Sequence, residues 1–400
     1  MRKYFIYLLI GFLPIFAMAQ VEQVEKQTNE GDFFIPDSLK SLIPVSKQSL
    51  LRDVDVIFNS RMAYNSNFMD GSHTLSEFNV NQLRFEMKGK IHDKVYFRFR
   101  NRYTREPIPG NLDNISRSVD LAFLRIDLSK STKLSFGKLC ADWGGFEFDF
   151  NPIDILTYND IIENADNFLV GAGLSHDFAD GKNSISFQVL NSRTKTYEEQ
   201  YGSTAPPNIN PSEYPLAMVG NWRGSFFDGK FETTYSYSFF NEAQGSHMNY
   251  FALGNKFKAK NFVLYYDFQY SDEGLDRKGI VSSIISSQYQ YAAQNVLYVE
   301  NWVRAEYLVT PKVNLLLTVM NSNHSWKDNP DPNSSSKLST SYGLIPTIQY
   351  MPFKDFNIKF YVAYTARRYE YTNYAENAFG VKDYTTGLLG FGFIAPLLVL

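Results

Sequence analysis

The 400-residue sequence is poor in the residues from which redox centres and catalytic sites are usually built. Its only cysteine is Cys140, so the chain can form neither an internal disulfide nor a metal site of the cysteine type. Its five histidines are scattered, and neither G-x-S-x-G nor H-E-x-x-H occurs. Nucleophilic catalysis therefore has no visible carrier. We expect no enzyme activity, no metal and no cofactor.

The sequence also lacks an excess of basic charge and a long apolar run beyond its N-terminus. Its formal net charge is −3, which argues against nucleic acid as a partner. The absence of a further apolar run predicts no transmembrane helix. Aromatic residues make up 16% of the chain, a high value for a soluble domain.

The N-terminus carries the three parts of an export signal. A basic start is followed by an apolar run over residues 4–16 and by Ala17-Met18-Ala19. This order predicts a cleaved signal peptide over residues 1–19, with an uncleaved anchor as the alternative. Residues 20–50 are polar and irregular, and we interpret them as a periplasmic lead-in.

From about residue 51 onwards the chain alternates between apolar and polar residues. In Val95–Arg102, the residues Val95, Phe97 and Phe99 occupy one face of a strand, and the arginines occupy the other. A half-buried strand of a soluble protein would show the same pattern, so the prediction depends on how often the pattern repeats.

The alternation repeats about sixteen times. We predict strands near residues 52–65, 78–91, 94–104, 117–128, 131–138, 167–178, 184–193, 215–226, 230–241, 248–259, 261–271, 292–309, 312–323, 339–351, 356–370 and 384–395.

The links between these strands are alternately short and long. The longer links are predicted at 66–77, 105–116, 139–166, 194–214, 242–247, 272–291, 324–338 and 371–383. Short turns on one side and longer loops on the other are typical of barrels in the outer membrane. Residues 51–400 are therefore predicted to form an all-β fold, a transmembrane antiparallel up-and-down β-barrel of about 16 strands.

If the apolar residues of such a barrel face lipid, the polar residues face the lumen. Several basic residues then share one wall, because the fifteenth, sixteenth and first strands of a closed barrel are neighbours. The predicted basic wall consists of Arg61, Arg84, Arg98, Arg100, Arg102, Arg125, Lys359 and Arg367. Such a wall favours anions in a pore. The alternative is that these cations only pair with nearby acids such as Glu86, Asp120 and Asp127.

The long link after the fifth strand combines acidic with aromatic residues. Its apolar side chains Trp143, Phe146, Phe148, Phe150 and Ile153 would be costly in water. We therefore predict a third outer loop that folds inward. Its acids would then face the arginines across a narrowed lumen, and they are Asp142, Glu147, Asp149 and Asp154. The alternative is an extracellular cap or a subunit contact.

Several stretches resemble the phosphate-selective porin O/P family in the form found in Bacteroidota. They are Asn81-Gln82-Leu83-Arg84-Phe85, Tyr96-Phe97-Arg98-Phe99-Arg100, Leu121-Ala122-Phe123-Leu124-Arg125-Ile126, Phe136-Gly137-Lys138 and Gly144-Gly145-Phe146-Glu147-Phe148. The resemblance implies a trimeric, water-filled channel of sixteen strands in the bacterial outer membrane, with outer-membrane lipid and small hydrophilic or anionic solutes as partners.

The chain departs from that family pattern in two places. The acidic third loop argues against strict phosphate selectivity. The C-terminus lacks a final aromatic residue, and Pro396 predicts that the last residues do not pair as a strand.

The resemblance leads us to expect a porin for passive diffusion with some preference for phosphate-like anions. One alternative is a barrel for uptake of sugar or another specific solute, and the aromatic candidates for sugar passage are Tyr96, Tyr298, Trp302, Tyr361 and Tyr369. Another alternative is a surface-binding barrel without an open pore.

Overall fold

The alternating segments of the sequence form sixteen strands, described in a computed structural model for residues 54–108 and 112–399. The strands are β1 (Val54–Met69), β2 (Ser72–His92), β3 (Val95–Arg102), β4 (Val119–Asp127), β5 (Thr132–Cys140), β6 (Phe168–Phe178), β7 (Asn183–Asn191), β8 (Leu216–Phe226), β9 (Phe231–Ala243), β10 (Ser246–Ala259), β11 (Phe262–Leu275), β12 (Gln294–Thr310), β13 (Val313–Trp326), β14 (Lys337–Tyr350), β15 (Lys359–Tyr371) and β16 (Tyr384–Leu398). The predicted signal peptide and the lead-in lie outside the described residues.

Each strand pairs antiparallel with its neighbours in sequence, and β1 closes the barrel by pairing with β16. The β1–β16 register runs from Ile57 opposite Leu398 to Met69 opposite Thr386. The fold is therefore all-β, an up-and-down barrel of sixteen strands, as the sequence predicts. Closure leaves no sheet edge to be covered.

The C-terminal residues do pair, so the expectation drawn from Pro396 is wrong. Pro396 lies opposite Asn59 of β1, and the Val399 N–H donates to the Val56 carbonyl at 2.7 Å. Because N–H directions alternate along a strand, the nitrogen of Pro396 points away from β1. On that side β15 begins to pair only at Ile394, so the missing N–H breaks no ladder bond.

Two links that the sequence predicts to be long loops are tight turns. The strands β1 and β2 continue through residues 66–77 to a turn at Asp70-Gly71, where φ is 49° and 77°. Residues 242–247 likewise contain a turn at Gln244-Gly245. The positive φ angles explain the glycines. Both segments are polar, which is why they resemble loops in the sequence.

The two faces of the barrel differ in exposure as the alternation predicts. Leu315 and Leu317 of β13 are 41% and 43% exposed, whereas Leu316 and Thr318 are 7% and 8% exposed. On β7, Phe187 is 52% exposed whereas Leu190 is fully buried. The exposed apolar face is the outer surface, and the polar buried face surrounds the lumen.

Short helices interrupt the links between strands. They are α1 (Phe146–Asp149), α2 (Asp160–Glu163), α3 (Tyr197–Tyr201), α4 (Ile280–Ile285) and α5 (Asn373–Phe379). None of these helices, nor any other in the part of the chain that the structure describes, is long and apolar enough to cross a membrane. The largest apolar cluster joins links to the inner face of the wall, with Trp143 and Ile161 among its members.

Candidate functional site

The link between β5 and β6, residues 141–167, makes polar contacts with the inner face of many strands. Arg223 of β8 pairs with Asp142 at 2.6 Å. Ser236 of β9 donates to the Trp143 carbonyl at 2.8 Å. We call residues 141–167 the β5–β6 loop. Its side-chain hydrogen bonds to strands reach β1, β7–β9 and β11–β15, and none that joins described residues reaches β2–β4.

Apolar residues of the β5–β6 loop are buried against the wall. Trp143 is 1% exposed, and its ring centroid lies 5.4 Å from that of Phe240 and 4.9 Å from that of Tyr250. Ile153 is fully buried beside residues of β1, β15 and β16. The area that these side chains remove from water offsets the cost of ordering the loop.

Two glycines allow the loop to lie close to the wall. A Cβ atom on Gly145 would overlap the carboxylate of Asp267, and one on Gly144 would overlap the side chain of Phe148. Asp267 accepts the backbone N–H groups of Phe146 at 2.9 Å and Glu147 at 2.6 Å. The carboxylate thereby satisfies N–H groups that a helix start leaves free.

The loop acids have different surroundings from one another. Asp142 and Asp149 both pair with Arg223, and Asp154 pairs with Lys359 at 3.0 Å. Glu147 forms no ion pair with any described residue. It accepts the Asn159 N–H at 2.7 Å, and burial raises its pKa well above the usual value, with Glu300 and Asp267 adding to the rise.

A second anchor of the loop, at Asp160, was not predicted from the sequence. Asp160 pairs with Arg367 at 2.6 Å and with His324 at 3.1 Å. Burial alone would raise the pKa of Asp160, but the hydrogen bond from His324 and the charge of Arg367 hold it below its usual range. Arg367 therefore fixes the loop to β15.

Arg61, another member of the predicted basic wall, also holds the loop. Its Nη1 donates to the carbonyls of Ile153, at 3.2 Å, and Ile155. Arg304 of β12 has a similar role, since it donates to the Asp154 carbonyl at 3.3 Å. The sequence offers no signal for these pairs, because each joins a side chain to a distant backbone carbonyl.

The remaining basic residues lie on β2–β4 and are paired on their own wall. Arg84, Arg100 and Arg102 surround Asp120 at 3.4, 3.3 and 2.7 Å. Asp120 is fully buried. Three cations thus share one anion.

Two further arginines of this wall have acids of their own. Arg98 pairs with Glu86 at 2.7 Å, and Arg125 pairs with Asp127 at 3.0 Å while covering the Tyr96 ring. The alternative of local pairing therefore describes these contacts, yet the cluster around Asp120 keeps a net positive charge.

A cavity of about 910 Å³ lies between the β5–β6 loop and the wall that includes β2–β4. Nine basic and five acidic side chains line it. From the predicted wall these include Arg61, Arg84, Arg98, Arg100 and Arg102, but not Arg125, Lys359 or Arg367. The cavity also takes in Arg105, Arg117, Lys138 and Arg223, which the sequence reasoning did not single out.

The aromatic residues considered for sugar passage do not form a track along this cavity. Tyr298 and Trp302 are 0% and 1% exposed, and Tyr361 is 6% exposed. None of these three side chains lines the cavity. No cluster of three or more potential metal ligands occurs within residues 54–108 and 112–399.

A closed sixteen-stranded barrel with an apolar outer face and a charged interior cavity defines a membrane channel of the outer-membrane type. The family model of phosphate-selective porins O and P matches residues 58–383. The chain belongs to this family. It is an outer-membrane porin, and its family and fold indicate a channel rather than an enzyme.

Solved structures share the fold at low sequence identity. The outer membrane channel DcaP of Acinetobacter baumannii aligns with a TM-score of 0.56 and 12% identity, covering 86% of this chain and 98% of that one. An anion-selective porin from Comamonas acidovorans aligns with a TM-score of 0.54 and 10% identity, covering 86% of this chain and 99% of that one. OmpT of Vibrio cholerae aligns with a TM-score of 0.52 and 10% identity, covering 86% of this chain and 97% of that one. A comparison with curated proteins found no match.

Proposed function

We propose that this porin lets small hydrophilic solutes diffuse passively and prefers phosphate-like anions over cations. The observation that carries the proposal is the cavity between the β5–β6 loop and the basic wall, with nine basic and five acidic side chains in its lining. Fixed positive charge in a narrow lumen lowers the energy of an anion and raises that of a cation.

We propose further that the β5–β6 loop lies inside the lumen and sets its narrowest part. Its hydrogen bonds to the inner face of β7–β9 and β11–β15 support this placement. The loop would occupy the side of the lumen away from β2–β4. The solutes would then pass along Arg84, Arg98, Arg100 and Arg102.

The double variant Arg98→Ala with Arg100→Ala tests the preference in planar bilayers. Removing two positive charges at ~10 Å from the ion path in 0.1 M salt lowers the anion-to-cation permeability ratio by about threefold. Without Arg100, Asp120 is still paired with Arg84 and Arg102, so the barrel is expected to stay folded.

Arg368→Ala is the matched control, because Arg368 is exposed on the outer face and pairs with Glu370 at 2.8 Å. It removes one positive charge away from the cavity, so the ratio should not change. Unchanged reversal potentials in the double variant would show that Arg98 and Arg100 do not control passage. A wild-type channel that prefers cations would contradict the proposal, and no conductance at all would refute a pore.

Two features implied by the sequence complete the proposal. We propose that the chain is exported by cleavage after Ala19 and assembles as a homotrimer, as the family resemblance implies. N-terminal sequencing of the mature protein should begin at Gln20. Native mass spectrometry in detergent should give three times the mass of the mature chain that begins at Gln20. A purely monomeric spectrum would contradict the trimer.

A further inference from the structure

The cavity has an apolar side as well as a charged one. Phe148, Phe150 and Tyr158 of the β5–β6 loop line it and are only partly buried. The arginines of β2 and β3 line the same cavity from the wall. A solute in the cavity therefore meets aromatic rings from the loop and guanidinium groups from the wall.

The aromatic side is held in place by packing. The Phe148 ring lies 6.4 Å from the buried Trp143 ring in an edge-to-face arrangement. The Phe150 ring lies 5.0 Å from that of Tyr265, and the Arg304 guanidinium covers it at 4.4 Å. Rings fixed in this way lose little freedom when a solute contacts them, so their contact area contributes to binding.

The charged side carries more cations than anions. Arg84, Arg100 and Arg102 line the cavity and share the single carboxylate of Asp120, at 3.4, 3.3 and 2.7 Å. The Arg102 side chain is the most accessible of the three, with 21% exposed against 2% for Arg84 and 8% for Arg100. The oxygens of a carboxylate match guanidinium geometry, so a solute anion can pair with this side of the cavity.

Tyr158 of the loop also lines the cavity. Burial raises the pKa of Tyr158 above its usual value, so the hydroxyl is neutral. This hydroxyl makes no hydrogen bond with the described residues, and a neutral hydroxyl can donate a further hydrogen bond to a bound oxyanion.

We propose that the channel favours organic anions with an aromatic body, of which aromatic carboxylates are the simplest class, over small anions of equal charge. The carboxylate lies beside the guanidinium groups of β2 and β3 that line the cavity, and the ring lies against the phenylalanines of the loop. An inorganic anion can make only the contact with the guanidinium groups, because it has no ring to lie against the phenylalanines. This inference rests on the proposed function, because it names the solute class of the same cavity.

The test measures how benzoate and acetate block chloride current through single reconstituted channels. Both probes carry one carboxylate, and only benzoate has a ring. We expect benzoate to halve the current at about three- to tenfold lower concentration than acetate, the range expected for one aromatic contact. Benzyl alcohol has the ring without the charge and should not block at those concentrations.

A double variant, Phe148→Leu with Phe150→Leu, assigns the effect to the loop. It keeps an apolar side chain at both positions and removes both rings, so benzoate and acetate should block at similar concentrations while the preference for anions remains. Phe187→Leu is the matched control, because Phe187 lies on the outer face at 52% exposure. That variant should keep the benzoate preference.

The outcomes separate this inference from the proposed function. A channel that prefers anions but is blocked equally by benzoate and acetate would overturn the inference and leave the proposed function standing. A channel without conductance would remove both. A benzoate preference that survives in the double variant would show that the loop phenylalanines do not supply the contact, and would also overturn the inference.

Discussion

Asp120 is the acid that Arg84, Arg100 and Arg102 of the cavity lining share. It is fully buried behind Arg84, Arg100 and Arg102, at 3.4, 3.3 and 2.7 Å. Asp120→Asn removes one negative charge with almost no change of shape. We predict that this variant prefers anions more strongly than the wild type, because three guanidinium groups then face the cavity uncompensated.

The magnitude follows from the Coulomb energy of one charge. At ~10 Å in water this energy is about 0.4 kcal/mol. Its loss stabilises an anion and destabilises a cation by the same amount, so the permeability ratio changes by about 0.8 kcal/mol, or about fourfold, without screening. Salt screens this energy, with Debye lengths of about 30 Å at 0.01 M, about 10 Å at 0.1 M and about 3 Å at 1 M. The change in the permeability ratio is then about threefold in 0.01 M salt, about twofold in 0.1 M salt and negligible in 1 M salt.

Reversal potentials in planar bilayers, measured across a KCl gradient at each of these salt ranges, give the ratio directly. Glu370→Gln is the matched control, since Glu370 is 37% exposed and pairs with Arg368 on the outer face. It should leave the ratio unchanged. An Asp120→Asn channel whose ratio stays constant or falls in dilute salt would refute the placement of this cluster beside the ion path.

Two further predictions concern how the β5–β6 loop is held, and both use the apparent melting temperature from heat-modifiability on gels. Gly145→Ala places a methyl group against the carboxylate of Asp267 and weakens two charge-assisted hydrogen bonds worth about 2 kcal/mol each. The melting temperature should fall by several degrees. Gly220→Ala, whose Cβ would meet only the Tyr237 carbonyl oxygen at an ordinary 3.9 Å, should change it little, and equal melting temperatures for the two variants would contradict the anchor. Glu147→Gln should raise the melting temperature more at pH 8 than at pH 4.5. Because the folded pKa of Glu147 is raised, its ionisation above the unfolded value of about 4.3 destabilises the fold, and glutamine avoids this; a gain independent of pH would contradict it.

The strands could be predicted from the sequence because their signal is local. Period-two alternation fixes which side chains face outward, and the observed strands lie within a few residues of most predicted ones. The two errors in link length arose where polar residues continue as strand beyond the apolar band. The Asp70-Gly71 pair was a usable signal, because this dipeptide favours the turn that the structure shows.

The contacts of the β5–β6 loop could be predicted only in kind. Exposed tryptophan and phenylalanine would be costly in water, which correctly indicates that the loop packs against something. Its partners are distant in sequence, since Asp267 lies 121 residues from Phe146 and Arg367 lies 207 residues from Asp160. Alternation gives the face of a side chain, but it does not give its height along the barrel or the strand opposite.

This limit explains why the predicted basic wall divides into two groups with different tasks. Arg61, Lys359 and Arg367 contact the loop, so most of their donors are used to hold protein groups. The arginines around Asp120 make no hydrogen bond to the described residues of the loop, and three of them share one carboxylate. All of these residues face inward, and only the path of the loop decides which of them a solute can reach. In the proposed channel, the charge that a solute meets is therefore set by one connecting segment as much as by the wall itself.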